Sequence, residues 1–335
     1  MRISPTIDLG EPIAIGSVRL ANRVFLAPMS GISDAPFREI AWQYGAGLVL
    51  SEMVASEALA CGHPEMRLKA ERGNLPFHAV QIAGRDPEWM AHAARLADDG
   101  GAGLIDINMG CPAKRVTSGD CGAALMRDPD LACRIIEAVV GAVAVPVTLK
   151  MRLGWSRDAM NAPELARRAG SLGIRMITVH GRTRDQFYKG TADWDAVAHV
   201  REQTGLPLVV NGDIATAADA AVALAKSGAD AVMIGRAACG APWLAGAIAA
   251  AKPDGWRPDD LGVLVGAHYE AILRHYGEDF GVRHARKHLA WYFDQWADPA
   301  ASRWRHVMVT STDPRTVRAA IGEAFAARGR VWRAA

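Results

Sequence analysis

A repeating rhythm constrains this chain more than any other feature. Between residues 24 and 234, short β-branched or apolar runs alternate with Ala-rich amphipathic stretches. Eight runs read as strands: 24–27, 48–51, 78–82, 104–108, 147–151, 176–180, 208–211 and 231–234. Seven stretches read as helices: 35–44, 87–98, 130–140, 163–172, 194–203, 217–226 and 243–251. A further helix is expected somewhere within residues 56–68, with a mobile loop as the alternative because Gly62, His63 and Pro64 fall there. Strands alternating with helices predict an α/β fold with a parallel sheet. Eight of them in about 230 residues fit a (β/α)8 TIM barrel. A doubly wound sheet is the alternative. It would normally carry a Gly-rich dinucleotide turn after its first strand, and Ala27-Pro28-Met29-Ser30-Gly31 is not that turn.

The rhythm stops after Ala251. A turn-rich linker follows, and then helical periodicity without strand candidates, so three or four helices are expected. The predicted division is 1–252, a barrel, and 253–335, a small C-terminal helical domain. The first twenty residues read as a hairpin or cap. Net charge is +2, which alone does not suggest nucleic acid, but its placement is uneven. From Phe280 onward there are ten Arg or Lys against four Asp or Glu. That asymmetry suits a polyanion or a membrane surface, or else a solvated helical face. Five cysteines, an odd number, form no disulfide framework, and no pair has zinc-ligand spacing, so no metal is expected. A reducing cytoplasm fits. The first residues lack an apolar signal region, and no run of apolar residues is long enough to span a membrane.

Chemistry collects where strands end, which in a barrel is the catalytic face. The fourth run ends in Asn108-Met109-Gly110-Cys111-Pro112 and continues as a basic, Gly-rich loop carrying Lys114, Arg115 and Cys121. Cys111 is either a reactive thiol or a buried structural one. Other strands end in Ala27-Pro28-Met29, Ser51-Glu52, Gln81, Lys150-Met151-Arg152 and His180-Gly181-Arg182. Asn211-Gly212-Asp213 and Gly235-Arg236 each precede a helix. Such Gly-containing turns with an Arg suit a phosphate, although each Gly could equally serve a tight turn. Lys150 ends an apolar strand and needs an anion opposite. A reduced flavin would serve, as would Glu52 or Asp106. His180 could donate to a ligand or be a satisfied core histidine.

The ordered motifs carry a resemblance. They are APMSGISDAPFR (27–38), the Gln81 strand, DINMGCPAKRV (106–116), TLKMRLGW (148–155), VHGRTRDQFYKG (179–190), VVNGDI (209–214) and MIGRAACGAPW (233–243). In these the chain resembles the tRNA-dihydrouridine synthases, and within them the bacterial B-type subfamily. ARKHLAWY (285–292) is similar to that subfamily's helical domain, whereas the segment after Trp296 does not follow it. The resemblance implies FMN at the barrel top, reduced by NADPH. It also implies hydride transfer to C6 of a uridine in the D-loop of tRNA, with Cys111 as the acid that protonates C5. A neutral thiol can donate a proton as a general acid.

By motif position, Ala27, Pro28, Met29, Gln81, Lys150 and His180 would contact the flavin. Asn211, Gly212, Asp213, Gly235 and Arg236 would hold its ribityl chain and phosphate. Asn108, Arg152 and Tyr188 would address the uracil. Lys114 and Arg115, with Arg283, Arg286 and Lys287 at near-helical spacing, would meet the tRNA backbone. A monomer in the cytoplasm, without membrane contact, is expected. The competing enzyme is a flavin-dependent dehydrogenase of a small pyrimidine, which would not need the basic tail. A third possibility is a tRNA-binding module without activity.

Overall fold

The protein is described by a computed structural model covering residues 7–326. All eight expected strands form, in one parallel sheet behind an N-terminal hairpin. The hairpin is β1 (Ile13–Ile15) paired antiparallel with β2 (Val18–Leu20). The sheet contains β3 (Val24–Leu26), β4 (Leu48–Val49), β5 (Val54–Ala55), β6 (Ala79–Ala83) and β7 (Leu104–Met109). It continues with β8 (Val147–Arg152), β9 (Ile177–His180), β10 (Leu208–Asn211) and β11 (Ala231–Ile234).

The strand order is β4-β3-β11-β10-β9-β8-β7-β6-β5. Its two ends, β4 and β5, are halves of one interrupted segment. The Ser51 N–H bridges the interruption to the Ala79 carbonyl at 3.0 Å. The sheet thus curls round on itself as a barrel, and the doubly wound alternative is excluded.

Strand alternation decides what fills the barrel. Phe25, Leu48, Ala79, Leu104, Val209 and Met233 form the interior cluster, and Ile13, Ile15 and Leu20 of the hairpin join it from below. The intervening residues, such as Leu26, Ile105, Leu149, Val179 and Val210, pack outward under the helices. Residues two positions beyond an inward residue face inward too. Gln81 therefore follows Ala79, Asp106 and Asn108 follow Leu104, and Asn211 follows Val209. The upper interior is polar because the sequence turns polar on that face alone.

Helix starts are encoded locally. Asp34, Asp86 and Asp128 cap helices Ala35–Gln43, Pro87–Asp99 and Pro129–Val140, each with a Pro in the first turn. Thr216 and Asp219 form a capping box on helix Ala217–Ser227. Each such cap is worth about 1 kcal/mol. The helix expected within 56–68 forms, split into two short ones, Ser56–Ala60 and Pro64–Ala70. Gly62, at φ +78°, ends the first and Pro64 starts the second.

Beyond residue 260, helices Leu261–Tyr276, Glu278–Trp296, Ser302–Thr310 and Pro314–Ala326 form a second apolar cluster. Trp243 lies at its centre, stacked on Tyr292 at 6.2 Å. Ile40 and Tyr44, at the end of the first barrel helix, pack against it. Among the described residues no helix is long and apolar enough to cross a membrane.

Candidate active site at the carboxyl end of the barrel

Register brings the polar strand ends together. Gln81 pairs with Asp106, Asn108 with Lys150, Arg152 with His180, and His180 with Asn211. Asn108 Oδ1 accepts from the N–H groups of Gly110 (3.2 Å) and Cys111 (3.0 Å), so the turn bearing the thiol is held by the strand residue beneath it. Cys111 is half-buried. Gly122 (φ +59°) passes under it, and a Cβ there would lie 2.9 Å from the Cys111 carbonyl. Sequence reasoning missed Gly122; its only signal was the cluster of glycines after the thiol. Cys121 bonds the Gly119 carbonyl, and burial pushes its thiol pKa up.

Lys150 is 8% exposed. Its ammonium makes one hydrogen bond, to Asn211 Oδ1 at 3.1 Å, and Asn211 Nδ2 is anchored on the Met233 carbonyl. Among the described residues it forms no ion pair. Glu52 accepts from the Gly31 N–H instead, and Asp106 accepts from Gln81 and Thr148. Burial first, then the charge of Arg152, brings the Lys150 pKa down to about 8.

The His180 pKa is held well below the usual value, by burial and then by Lys150, Arg152, Arg182 and Arg236, so the ring is neutral. Arg182 Nη1 donates to His180 Nε2 at 3.3 Å, which assigns the ring hydrogen to Nδ1. Arg182 was not among the expected site residues. It also grips Asp213 Oδ2 (2.5 Å) and the Lys189 and Gly190 carbonyls, clamping the 182–190 loop to the turn after β10.

Several expected residues are committed elsewhere. The Asp213 side chain bonds Arg182 and the Ala192 N–H and lies 3.6 Å from the Arg236 guanidinium. Burial would raise its carboxyl pKa, but those bonds outweigh burial and lower it. Arg152 is buried, with Nε on the Gly110 carbonyl and Nη1 on the Thr183 and Phe187 carbonyls, so it organises loops around the thiol. Tyr188 is half-exposed and lies over the guanidinium groups of Arg152 (5.5 Å) and Arg236 (4.6 Å). Lys114 and Arg115 are exposed in the short helix Lys114–Thr117. Arg283 is exposed, but Arg286 donates to the Thr310 and Ser311 carbonyls, and Lys287 to the His284 carbonyl. Those three therefore do not form one free track.

A further polar cluster joins barrel to helices. His284 Nε2 lies 3.0 Å from Asp34 Oδ2, and both ring nitrogens of buried His288 lack partners among the described residues. Asp34, His284 and His288 offer metal-ligating atoms within 4.8 Å of one another. Zinc ligands in a tetrahedral site sit about 3.4 Å apart, given bonds of about 2.1 Å. Arg38 and Lys287 are close enough to perturb the cluster electrostatically.

The residues present fit a flavin phosphate. The N–H groups of Gly212, Asp213 and Gly235 make no hydrogen bond among the described residues. A Cβ on Gly235 would meet only Ala27 at 4.0 Å, so the turn borders open space. Gly212 is required regardless of any ligand, because its φ is +115° and a Cβ would lie 2.9 Å from Ala192 Cβ. With Arg236 beside these amides, and buried Lys150 and neutral His180 deeper in, the donor set suits an anionic group with carbonyl oxygens.

A parallel α/β barrel with amide, thiol, ammonium and imidazole groups around its carboxyl end defines an enzyme of the barrel class. Solved structures support the fold: a variant of NCR from Zymomonas mobilis (TM-score 0.54, 20% identity, 73% of this chain and 92% of that one) and morphinone reductase (0.53, 16%, 74% and 91%). The family model for dihydrouridine synthases matches residues 25–328, and the chain belongs to that family. It is 53% identical to a probable tRNA-dihydrouridine synthase of Rhizobium leguminosarum bv. phaseoli, over 91% of this chain and 95% of that one. It is also 53% identical to one of Rhodobacter capsulatus (94% and 98%). Identity to tRNA-dihydrouridine synthase B of Xanthomonas campestris is 48% (83% and 86%), in line with the bacterial B-type subfamily.

Proposed function

We propose that this protein is an FMN-dependent, NADPH-driven tRNA-dihydrouridine synthase, reducing the C5–C6 double bond of a D-loop uridine. The observation that carries the reading is Lys150, a buried ammonium with an amide oxygen as its one hydrogen-bond partner among the described residues. Such a cation favours a ligand that gains negative charge beside it. When bound, FMN supplies the hydride that reaches C6, having taken it from NADPH. Lys150 would stabilise the charge of the reduced ring, and neutral His180 would donate from Nδ1 to a ring carbonyl. Ala27, Pro28, Met29 and Gln81 would line the ring. Arg236 and the backbone N–H groups of Gly212, Asp213 and Gly235 would hold the phosphate, while Asn211 positions Lys150.

Asn108 would donate to a uracil carbonyl, with Tyr188 and the loop held by Arg152 closing over the base. Cys111 holds the proton that goes to C5. Hydride at C6 and proton at C5 together complete the saturation. The uridine must leave its stack to reach the barrel interior. We assign residues 253–335 to a tRNA-binding domain. Between it and the 62–71 segment lies a cleft of about 850 Å³ bordered by Glu52, Arg67, Tyr276 and Phe280. Its aromatic faces suit splayed bases. Lys114, Arg115 and Arg283 are the exposed cations for the phosphates. The enzyme is assigned to the cytoplasm as a monomer.

The test is Cys111→Ala. It should keep flavin absorbance and NADPH oxidation and make little or no dihydrouridine on tRNA. Near wild-type product would remove Cys111 as the acid. Absence of a tRNA gel shift at low salt would favour the small-pyrimidine dehydrogenase instead.

A further inference from the structure

Asp106 is completely buried, one turn of the strand pleat below Asn108, and the reaction as outlined gives it no task. Its carboxyl oxygens accept from Thr148 Oγ1 at 2.6 Å and from Gln81 Nε2 at 2.7 Å. The chain of bonds runs on. Gln81 Oε1 accepts from Asn108 Nδ2 at 2.7 Å, and Asn108 Oδ1 accepts from the Gly110 and Cys111 N–H groups.

The two ends fix every atom between them. Backbone N–H groups can only donate, so Asn108 must turn its oxygen to Cys111 and its nitrogen to Gln81. Gln81 must then turn its oxygen to Asn108 and its nitrogen to position 106. An acceptor is required there, and a carboxyl oxygen supplies it. Either amide reversed would leave buried donors facing donors. The chain also spends one N–H of each amide and leaves each with a second, so both can offer donors to a ligand. Donors select carbonyl oxygens over amino groups.

We propose that Asp106 is a positioning residue. Its carboxyl group sets the donor–acceptor order of the Gln81–Asn108 pair, and through it the turn that carries Cys111. This rests on the proposed role of Cys111, but its test needs neither flavin nor tRNA. In Gln81→Glu, two carboxyl groups face each other and one must keep a proton. The variant should therefore lose thermal stability relative to wild type as pH rises from about 6 to 9. Asp106→Asn combined with Gln81→Glu exchanges the two partners. The new amide at position 106 donates to the new carboxylate at position 81, which still accepts from Asn108, and Thr148 donates to the new amide oxygen. The order is restored with the same net charge as wild type.

The readout is peptide-resolved iodoacetamide labelling of Cys111 relative to exposed Cys61 in the purified full-length protein, beside melting curves. At about pH 8.5 the single variant should label Cys111 about tenfold faster, because loosening a buried polar contact costs 1–3 kcal/mol. The double variant should return to within about threefold of wild type and regain its melting profile. If the single variant does not fold, recovery of a cooperative melt by adding Asp106→Asn reads the same restoration. A double variant no nearer wild type than Gln81→Glu overturns the proposal, as does a single variant unaltered at every pH. Wild-type protein that makes no dihydrouridine would instead overturn the proposed function and leave this ordering untouched.

Discussion

Replacing Lys150 by Met should stabilise the flavin-free protein while abolishing flavin function. The ammonium is buried, and its pKa falls from 10.5 to about 8. At about 1.4 kcal/mol per pH unit, the charged form costs the folded state about 3 kcal/mol. The sign follows from proton counting. Below the folded pKa of about 8, both states are protonated and the full penalty is present. Between about 8 and 10.5 the unfolded chain binds more protons, so stability rises with pH and the penalty fades. Met has similar volume and no charge, but it leaves Asn211 Oδ1 without its donor, which costs about 1 kcal/mol. The net expectation is a gain of about 2 kcal/mol at pH 7 that shrinks as pH rises and becomes a loss of about 1 kcal/mol near pH 10.5. Urea unfolding of the flavin-free wild type and variant, measured in parallel across that range, reads the difference directly. A variant less stable than wild type at pH 7, or a difference that does not change with pH, would refute the reasoning. Flavin titration of the same samples should show weakened binding only in the variant.

Gly122→Ala places a Cβ at positive φ against the Cys111 carbonyl. It should cost about 1–2 kcal/mol in denaturant melts and slow dihydrouridine formation more than NADPH oxidation. Arg283→Ala should lower tRNA affinity and reduce the slope of log affinity against log salt by about 1, in a filter-binding series without loss of stability. Arg286→Ala should do the reverse. It frees the Thr310 and Ser311 carbonyls, so the melting temperature should fall while the salt slope stays put. Arg182→Gln should destabilise the fold and speed proteolysis of the 182–190 loop, and adding Asp213→Asn should recover part of the loss, because a carboxylate left with only the Ala192 N–H and the more distant Arg236 is then removed.

Much of this protein is written in short-range pattern. Strand and helix positions follow from periods of two and of about 3.6. Caps such as Asp34, Asp86 and Thr216 are local, because a side chain two or three residues away bonds a free N–H. That the polar residues Asn108, Lys150, His180 and Asn211 share one end of the barrel also follows, since parallel strands all end on the same side. Ordered motifs then named the family.

What the sequence could not fix is how each polar group is partnered, because partners come from register and curvature. Arg152 reads as a ligand cation until the Gly110, Thr183 and Phe187 carbonyls surround it. Arg286 reads as a phosphate contact until the end of helix Ser302–Thr310 is packed beside it. The bond between Asp34 and His284 joins residues 250 positions apart, and neither has a local signal for the other. Asp106 reads from the sequence as a candidate counter-ion for Lys150. Only the closed sheet, which sets Gln81 on one side of it and Thr148 on the other, gives its carboxyl group an order to impose. Periodicity determined which residues face the site. Tertiary structure alone decided which of them remain free to act.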